Sequence, residues 1–277
     1  MKPKTCNRKR FATTAMILGA TLALPLIADA DTSFTITNTT ADAFLASGSP
    51  ANPVGTNLSS LNFGGAGTLA IAPASSAKGE FDSVIQFSSV AAVSQFNSTY
   101  GVGNWQITGL TLFLASNFAT QGQQPNNNIF NTINAGSFGI DWISNDNWVE
   151  GTGGGMGTAG YPGNSLVSFN SIPTLLSGAH DSLGTFLYTP PGNTSYLSYS
   201  LPLNADLVTD AAAGGAVSLY FYAADNQVSY LFNSKEFASN HPELTITVGA
   251  APEPGTLGLL AVSLGGWLAA RRIKQRI

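Results

Sequence analysis

Short apolar runs separated by turn residues fill the central part of this chain and restrict it to few folds. The runs consist mostly of β-branched or aromatic residues, and Gly, Asn, Ser or Asp stands at their borders. In "SVIQF" and "LTITV" an apolar residue occupies every second position, as on a half-buried strand. Many short strands of this kind predict an all-β fold, namely an antiparallel β-sandwich. The predicted strands have the sequences FTIT, GEFDSVIQF, WQITGLTLFLAS, SFGIDWIS, LSYSL, AVSLYFYAA, SYLFNS and ELTITV.

Only a few short helices fit between these strands. We predict them around Ala91–Phe96, around Pro173–Leu176 and over Ala205–Ala213. The third has the best-defined ends, because Asn204 can cap its first turn and Gly214 can end it in the left-handed conformation. Residues 31–77 are richer in small and polar side chains, which predicts a leading β segment before the main sandwich.

The first 30 residues have the three parts of a secretory signal peptide. A basic stretch ends at Arg10, and the apolar stretch Phe11–Ile27, the signal helix, follows it. Ala28 and Ala30 then provide the small side chains that signal peptidase requires before the bond it cleaves. We therefore expect an exported protein, cleaved before Asp31. The only cysteine, Cys6, leaves with the signal, so the mature chain has no disulfide and no thiolate metal site.

The mature part is strongly acidic once the basic ends are set aside. Between Asp31 and Ala251 there are two lysines, no arginine and thirteen acidic residues, a net charge of −11. Such a chain cannot neutralise phosphates, which argues against nucleic-acid binding. Anionic ligands are disfavoured for the same reason.

The C-terminal residues have the pattern of a membrane-spanning helix. Gly255–Ala270 contains no charge, and its 16 residues would form a helix about 24 Å long. This helix can span a thin bilayer, and the basic residues after it would stay on the cytoplasmic side. Those basic residues are Arg271, Arg272, Lys274 and Arg276.

Pro252-Glu253-Pro254, the apolar helix and the Arg271-Arg272 cluster together resemble the PEP-CTERM sorting signal of exopolysaccharide-producing Gram-negative bacteria. The resemblance covers residues 250–277. It implies that a membrane protease, exosortase, recognises the Pro-Glu-Pro region and removes the tail. The protein would then be anchored transiently in the inner membrane and delivered to the cell surface or to a biofilm matrix of exopolysaccharide.

A second resemblance covers the body, over residues 78–249. Trp148-Val149-Glu150-Gly151 and Phe232-Asn233-Ser234-Lys235-Glu236, followed by Pro242-Glu243-Leu244, are similar to motifs of the DNRLRE-type β-sandwich module. The resemblance implies a jelly roll related to carbohydrate-binding domains. This chain departs from the pattern at Lys235, where an arginine is usual, and in a long insertion over residues 117–134.

These motif residues also have structural interpretations. Trp148 is expected to anchor a loop over an end of the sandwich, and Glu150 is expected to pair with Lys235. Asp225 can cap the turn in "AADNQ", and Glu236 can bind a loop backbone.

The sequence contains no convincing catalytic set. The two histidines, His180 and His241, stand beside turn residues, where we expect loops, and no G-x-S-x-G motif is present. Asp141, Asp146 and Glu150 are close in sequence but lack the arginines that usually accompany them in glycosidases. We therefore expect a protein that is not an enzyme and needs no cofactor.

Calcium is the one cofactor that the carboxylates of this chain could bind. Together with Asp225, the residues Asp141, Asp146 and Glu150 could supply oxygen ligands at one end of the sandwich, although no EF-hand loop is present.

The sequence thus favours an exported, non-enzymatic surface or matrix protein. Its partners during export would be signal peptidase, exosortase and the membrane. After export, exopolysaccharide would be its partner. The alternative is a carbohydrate-binding module for neutral glycans, with Trp148 among its contacts. The other aromatic candidates for stacking on sugars are Trp105, Tyr161, Tyr196 and Tyr222.

Overall fold

A computed structural model describes residues 30–49, 57–117, 136–155, 160–188 and 196–251. All strand pairs in it are antiparallel, and two large sheets face each other. The predicted antiparallel all-β sandwich is therefore confirmed. The strands are β1 (Thr32–Ile36), β2 (Ala41–Ala46), β3 (Leu61–Asn62), β4 (Thr68–Ile71), β5 (Phe81–Ser88), β6 (Trp105–Ala115), β7 (Gly136–Ile143), β8 (Tyr161–Pro162), β9 (His180–Tyr188), β10 (Tyr196–Leu201), β11 (Ala216–Ala223), β12 (Tyr230–Asn233) and β13 (Glu243–Ala250).

The three predicted helices are present. They are α1 (Val90–Tyr100), α2 (Ile172–Leu175) and α3 (Ala205–Ala213), and a 3₁₀ turn at Phe169–Ser171 leads into α2. The side chain of Asn204 accepts hydrogen bonds from the amides of Asp206 and Leu207 at the start of α3. Gly214 ends that helix with φ 75° and ψ 37°, as its sequence position predicted.

The two large sheets have four and five strands. The order in the first is β1-β13-β6-β10, and in the second it is β2-β5-β11-β7-β9. Two small pairs, β12-β4 and β3-β8, lie beside them. The main core lies between the sheets, where alternate residues such as Leu112 and Ile246 meet Ile85, Phe138 and Leu219.

The outer faces of the sheets differ. On the four-stranded sheet hydroxyl side chains point outward, and Thr35 bonds Thr245 across the strands at 2.8 Å. On the five-stranded sheet the outer face is covered, since Val84 and Tyr220 pack there with Leu175 and the flanking residues of α2. A covered outer face explains why β5 and β11 are buried over consecutive positions rather than alternate ones.

The leading segment, residues 31–77, belongs to the sandwich itself. Its β1 pairs with β13 in one large sheet, and its β2 pairs with β5 in the other. The expectation of a loop at His180 is wrong, because His180 and Asp181 begin the edge strand β9, although His180 is exposed as expected. The stretch "HDSLGTFLY" was not predicted as a strand, because polar residues and glycine are uncommon inside strands. Here they are tolerated because β9 lies at the edge of its sheet.

The predicted targeting segments lie outside the described residues, apart from Ala30, Ala250 and Ala251. Within the described ranges, no helix is long and apolar enough to cross a membrane. The greater part of the insertion at residues 117–134 also lies outside them.

Candidate functional site

The ammonium group of Lys235 lies between two carboxylates. Its Nζ is 2.5 Å from Oε2 of Glu150 and 3.2 Å from Oε1 of Glu236. The predicted pairing of Glu150 with Lys235 is thus confirmed. Glu236 also accepts a hydrogen bond from the hydroxyl of Ser234 at 3.0 Å, where we expected it to bind a loop backbone.

A third carboxylate, that of the buried residue Asp42, lies beside Glu150 and Glu236. Asp42 is fully buried on β2, and its Oδ2 accepts hydrogen bonds from the Lys235 amide at 2.8 Å and the Thr39 hydroxyl at 2.9 Å. In return, the Asp42 amide donates to Oε1 of Glu150 at 2.8 Å. We call Asp42, Glu150, Lys235 and Glu236 the lysine cluster.

Burial governs the proton affinities in the lysine cluster. It raises the pKa of Asp42 to about 7, because the hydrogen bonds from Lys235 and Thr39 offset only part of the desolvation. Burial also raises the pKa of Glu150 despite its bond to Lys235. For Lys235 burial alone would lower the pKa, but the bond and charge of Glu150, with the charge of Glu236, raise it overall.

The lysine cluster joins three segments that are distant in sequence. They are β2, the loop of the W-x-E-G motif and the turn after β12. Carboxylate oxygens of Asp42, Glu150 and Glu236 lie within 4.8 Å of one another, close enough to surround a cation. The Lys235 ammonium already contacts two of these groups, so an internal cation offsets part of their negative charge.

The loop that carries Glu150 is fixed by Asn62. This buried side chain donates to the backbone oxygens of Glu150 and Val167, and its Oδ1 accepts from the amides of Gly64 and Gly153. The glycines allow this close backbone approach. A Cβ at Gly64 would collide with the Glu150 carbonyl, and one at Gly153 would collide with that of Asn62.

A second polar group lies on the outer face of the five-stranded sheet. The hydroxyl of Ser218 donates to Oδ1 of Asp146 at 2.6 Å and accepts from the indole Nε1 of Trp148 at 3.2 Å. Gln86 donates to the Asp146 carbonyl at 2.9 Å. Burial raises the pKa of Asp146, and the hydrogen bond from Ser218 to its carboxylate counteracts this. Trp148 therefore anchors its loop against a sheet face; we had expected it over an end of the sandwich.

Asp82 lies on the same face and is almost fully buried. Tyr220 donates its phenol hydrogen to Oδ2 of Asp82 at 2.5 Å, and Oδ1 has no hydrogen-bond partner among the described residues. Burial raises the pKa of Asp82 to about 7.

The carboxylates suggested for calcium are dispersed. Only Glu150 is in the lysine cluster, since Asp146 binds Ser218 and Asp141 accepts a long bond of 3.4 Å from Tyr222. Asp225 caps its turn as expected, with its Oδ1 accepting from the amides of Gln227 and Val228 at 2.8 and 3.0 Å.

Most of the aromatic side chains suggested for stacking on sugars pack against or bond other residues of the protein. Trp105 packs on Phe96 and donates to Asn97, while Tyr196 donates to Glu243 and to the His241 carbonyl. Tyr222 stacks on Tyr220, at 5.9 Å between ring centroids. Tyr161 is half exposed.

Sequence reasoning missed Asp42, Asn62, Asp82 and Ser218. A signal was available for the two aspartates, because each interrupts an apolar stretch, in "ADAFLA" and "FDSVIQF". Lone acids in such runs are retained only where partners or a proton compensate for burial. The sequence offers no comparable signal for Asn62 or Ser218.

No family model matches this chain, and no curated protein matches it either.

Proposed function

We propose that this is an exported, non-enzymatic β-sandwich protein, sorted through its C-terminal tail to the cell surface or exopolysaccharide matrix. The observation that supports the proposal is the position of the sandwich between the two segments that the sequence predicts to be targeting signals. The first strand begins at Thr32, the second residue after the predicted cleavage site, and the last strand ends at Ala250, two residues before Pro252.

The pairing of the first and last strands supports this order. β1 and β13 are antiparallel neighbours, with Thr32 opposite Val248 and Ile36 opposite Leu244. The start of β1 and the end of β13 therefore lie at the same end of one sheet. Both predicted membrane segments would leave the body at that end, so a precursor held by either segment would present the sandwich in the same orientation.

The strand order supports a jelly roll as the finer description of the fold. Without the edge strand β2, the two large sheets contain eight strands among the described residues: β1, β5, β6, β7, β9, β10, β11 and β13. Numbered along the chain, they give the order 1-8-3-6 in one sheet and 2-7-4-5 in the other. This is the double Greek-key order of a jelly roll. The DNRLRE-type resemblance implies the same topology.

A structural role is supported by the way in which the acidic residues are used. Asp225 caps a turn, Glu150 pairs with Lys235, and Asp146 binds Ser218 beside Trp148. The interactions of Glu150 and Asp146 connect segments that are distant in sequence, as expected of a durable surface protein without disulfides.

Intact-mass analysis of the protein from its native host tests the proposal. We expect a mature chain that starts at Asp31, ends near Pro252–Pro254 and is found outside the inner membrane. A strain without exosortase should retain the Arg271–Ile277 tail in its membrane fraction. Replacing Pro252, Glu253 and Pro254 by alanine should do the same, whereas the control Pro242→Ala should be processed normally. A released wild-type protein that still carries the tail would contradict the proposal.

A further inference from the structure

A small cleft opens on the covered face of the five-stranded sheet. It has a volume of about 240 Å³ and lies between residues 145–149 and residues 163–175. This volume is below the range of about 300–1,000 Å³ that is typical of sites for drug-sized ligands. The cleft therefore has room for one small ring and not for a chain lying lengthwise.

The lining is largely apolar and includes an aromatic ring in a fixed position. Trp148, Val149, Leu166, Val167 and Leu175 provide this apolar surface. The indole of Trp148 is only partly buried, and its Nε1 is bonded to Ser218 at 3.2 Å. A ring held in this way loses little conformational entropy when a ligand packs on it.

Uncharged polar groups stand around this lining. Asn147, Ser165 and Thr174 are exposed, and their side chains form no hydrogen bond with any part of the chain that the structure describes. Their amide and hydroxyl groups can both donate and accept. Apolar walls with a few such groups at the rim are characteristic of small-molecule sites.

The backbone at the rim is strained. Ser165 has φ 71°, in the left-handed region, and it is one of two non-glycine residues with positive φ among those described. This conformation is unfavourable for a residue with a Cβ. Strained residues often occur where a structure holds a group for binding.

The charge distribution selects the class of ligand. No residue lining the cleft is charged, and the carboxylate of Asp146 turns away to Ser218. The body around it carries a net charge of −11 between Asp31 and Ala251. Anions would be repelled, and a cation would find no counter-charge in the lining.

We propose that this cleft binds a single neutral sugar residue, such as a terminal hexose of a glycan. The C–H-bearing face of the sugar would pack on Trp148, and its hydroxyls would bond Asn147, Ser165 and Thr174. This inference is independent of the sorting proposal, because binding is measured on purified protein and sorting is measured by mass in the host.

The test is saturation-transfer-difference NMR with the full chain, in a detergent that has no sugar headgroup. The probes are methyl glucoside, methyl galactoside, methyl mannoside and N-acetylglucosamine, with glucuronate and galacturonate as anionic counterparts. We expect millimolar binding of at least one neutral probe, and binding of glucuronate and galacturonate that is weaker by about tenfold or more.

Variants locate the binding on the protein. The double variant Asn147→Ala/Thr174→Val changes only exposed side chains, so it should fold normally and weaken binding about tenfold. Trp148→Phe should weaken it as well, whereas Trp105→Phe, remote from the cleft lining, should leave it unchanged. The proposal is overturned if no neutral probe binds, if uronates bind equally well, or if the double variant retains full binding.

Discussion

The Nζ atom of Lys235 lies 2.5 Å from Oε2 of Glu150, although the two residues are separated by 85 positions in the sequence. Their side chains are largely buried, with exposed fractions of 25% and 16%. Lys235 is one of two lysines between Asp31 and Ala251, and its positive charge lies where three carboxylates meet. The ion pair therefore joins the loop of the W-x-E-G motif (the motif loop) to the turn after β12, and Asp42 connects both partners to β2.

Replacing Lys235 by methionine should destabilise the protein by about 1–3 kcal/mol, below the cost of breaking a fully buried pair. The apolar stem and the amide bond to Asp42 would be kept, while Glu150 and Glu236 lose their cation. Urea unfolding at neutral pH measures the loss. The matched control Lys78→Met removes the same charge outside the lysine cluster and should cost clearly less. Equal losses in the two variants would show that net charge, and not the pair, determines stability.

The pairing of Glu150 with Lys235 could be predicted because only two lysines between Asp31 and Ala251 are available to pair with the glutamate of the W-x-E-G motif. The strands were predictable where alternation was clear, as in β13. Asp42 could not be placed, since "ADAFLA" gives no indication that β2 lies at the edge of the five-stranded sheet beside the turn after β12. Trp148 was expected over an end of the sandwich, yet the segment up to Leu175 folds back over a sheet face. Local sequence does not encode such a long-range return.

Removing the internal cation should create a calcium response. In Lys235→Ala the carboxylates of Asp42, Glu150 and Glu236 remain within reach of one another without a lysine between them. Millimolar calcium should then raise the melting temperature of this variant, because an ion that binds only the folded state stabilises it. The wild type should not respond. A calcium-dependent shift in the wild type that is as large as in the variant would mean that Lys235 does not exclude the ion.

The buried Asp82 should make stability fall as the pH rises. Burial raises its pKa from 3.8 to about 7, so the folded state keeps a proton that the unfolded chain has released. Its contribution to stability is complete below about pH 4, decreases up to about pH 7 and is constant above that. Asp82→Asn cannot ionise, so urea unfolding between about pH 5 and 8 should show a weaker decline, with a remainder from Asp42 and from Asp210, whose pKa burial raises to about 6.

Tyr220→Phe is the complementary variant. It removes the hydroxyl that donates to the ionised form of Asp82, which raises the pKa of Asp82 further, so the decline of stability should continue to a higher pH than in the wild type. The combined variant with Asp82→Asn should have the weaker slope of Asp82→Asn alone, because no ionising group remains at that position. A slope in Asp82→Asn equal to that of the wild type would assign the pH dependence to other residues.

Two glycines with similar φ angles should differ greatly in their tolerance of alanine. Gly151 has φ 79° and Gly103 has φ 76°, so a Cβ is strained at both, at a cost of about 1 kcal/mol. At Gly103 nothing lies within 4 Å of the added atom, whereas at Gly151 it would collide with the side-chain oxygen of Asn62. Gly103→Ala should therefore lose only the backbone term in urea unfolding. Gly151→Ala should lose about 3 kcal/mol or more, because the buried bonds of Asn62 to the motif loop would be disrupted as well. Similar losses at both positions would mean that the motif loop can shift away from Asn62, and that this contact does not fix the position of Glu150.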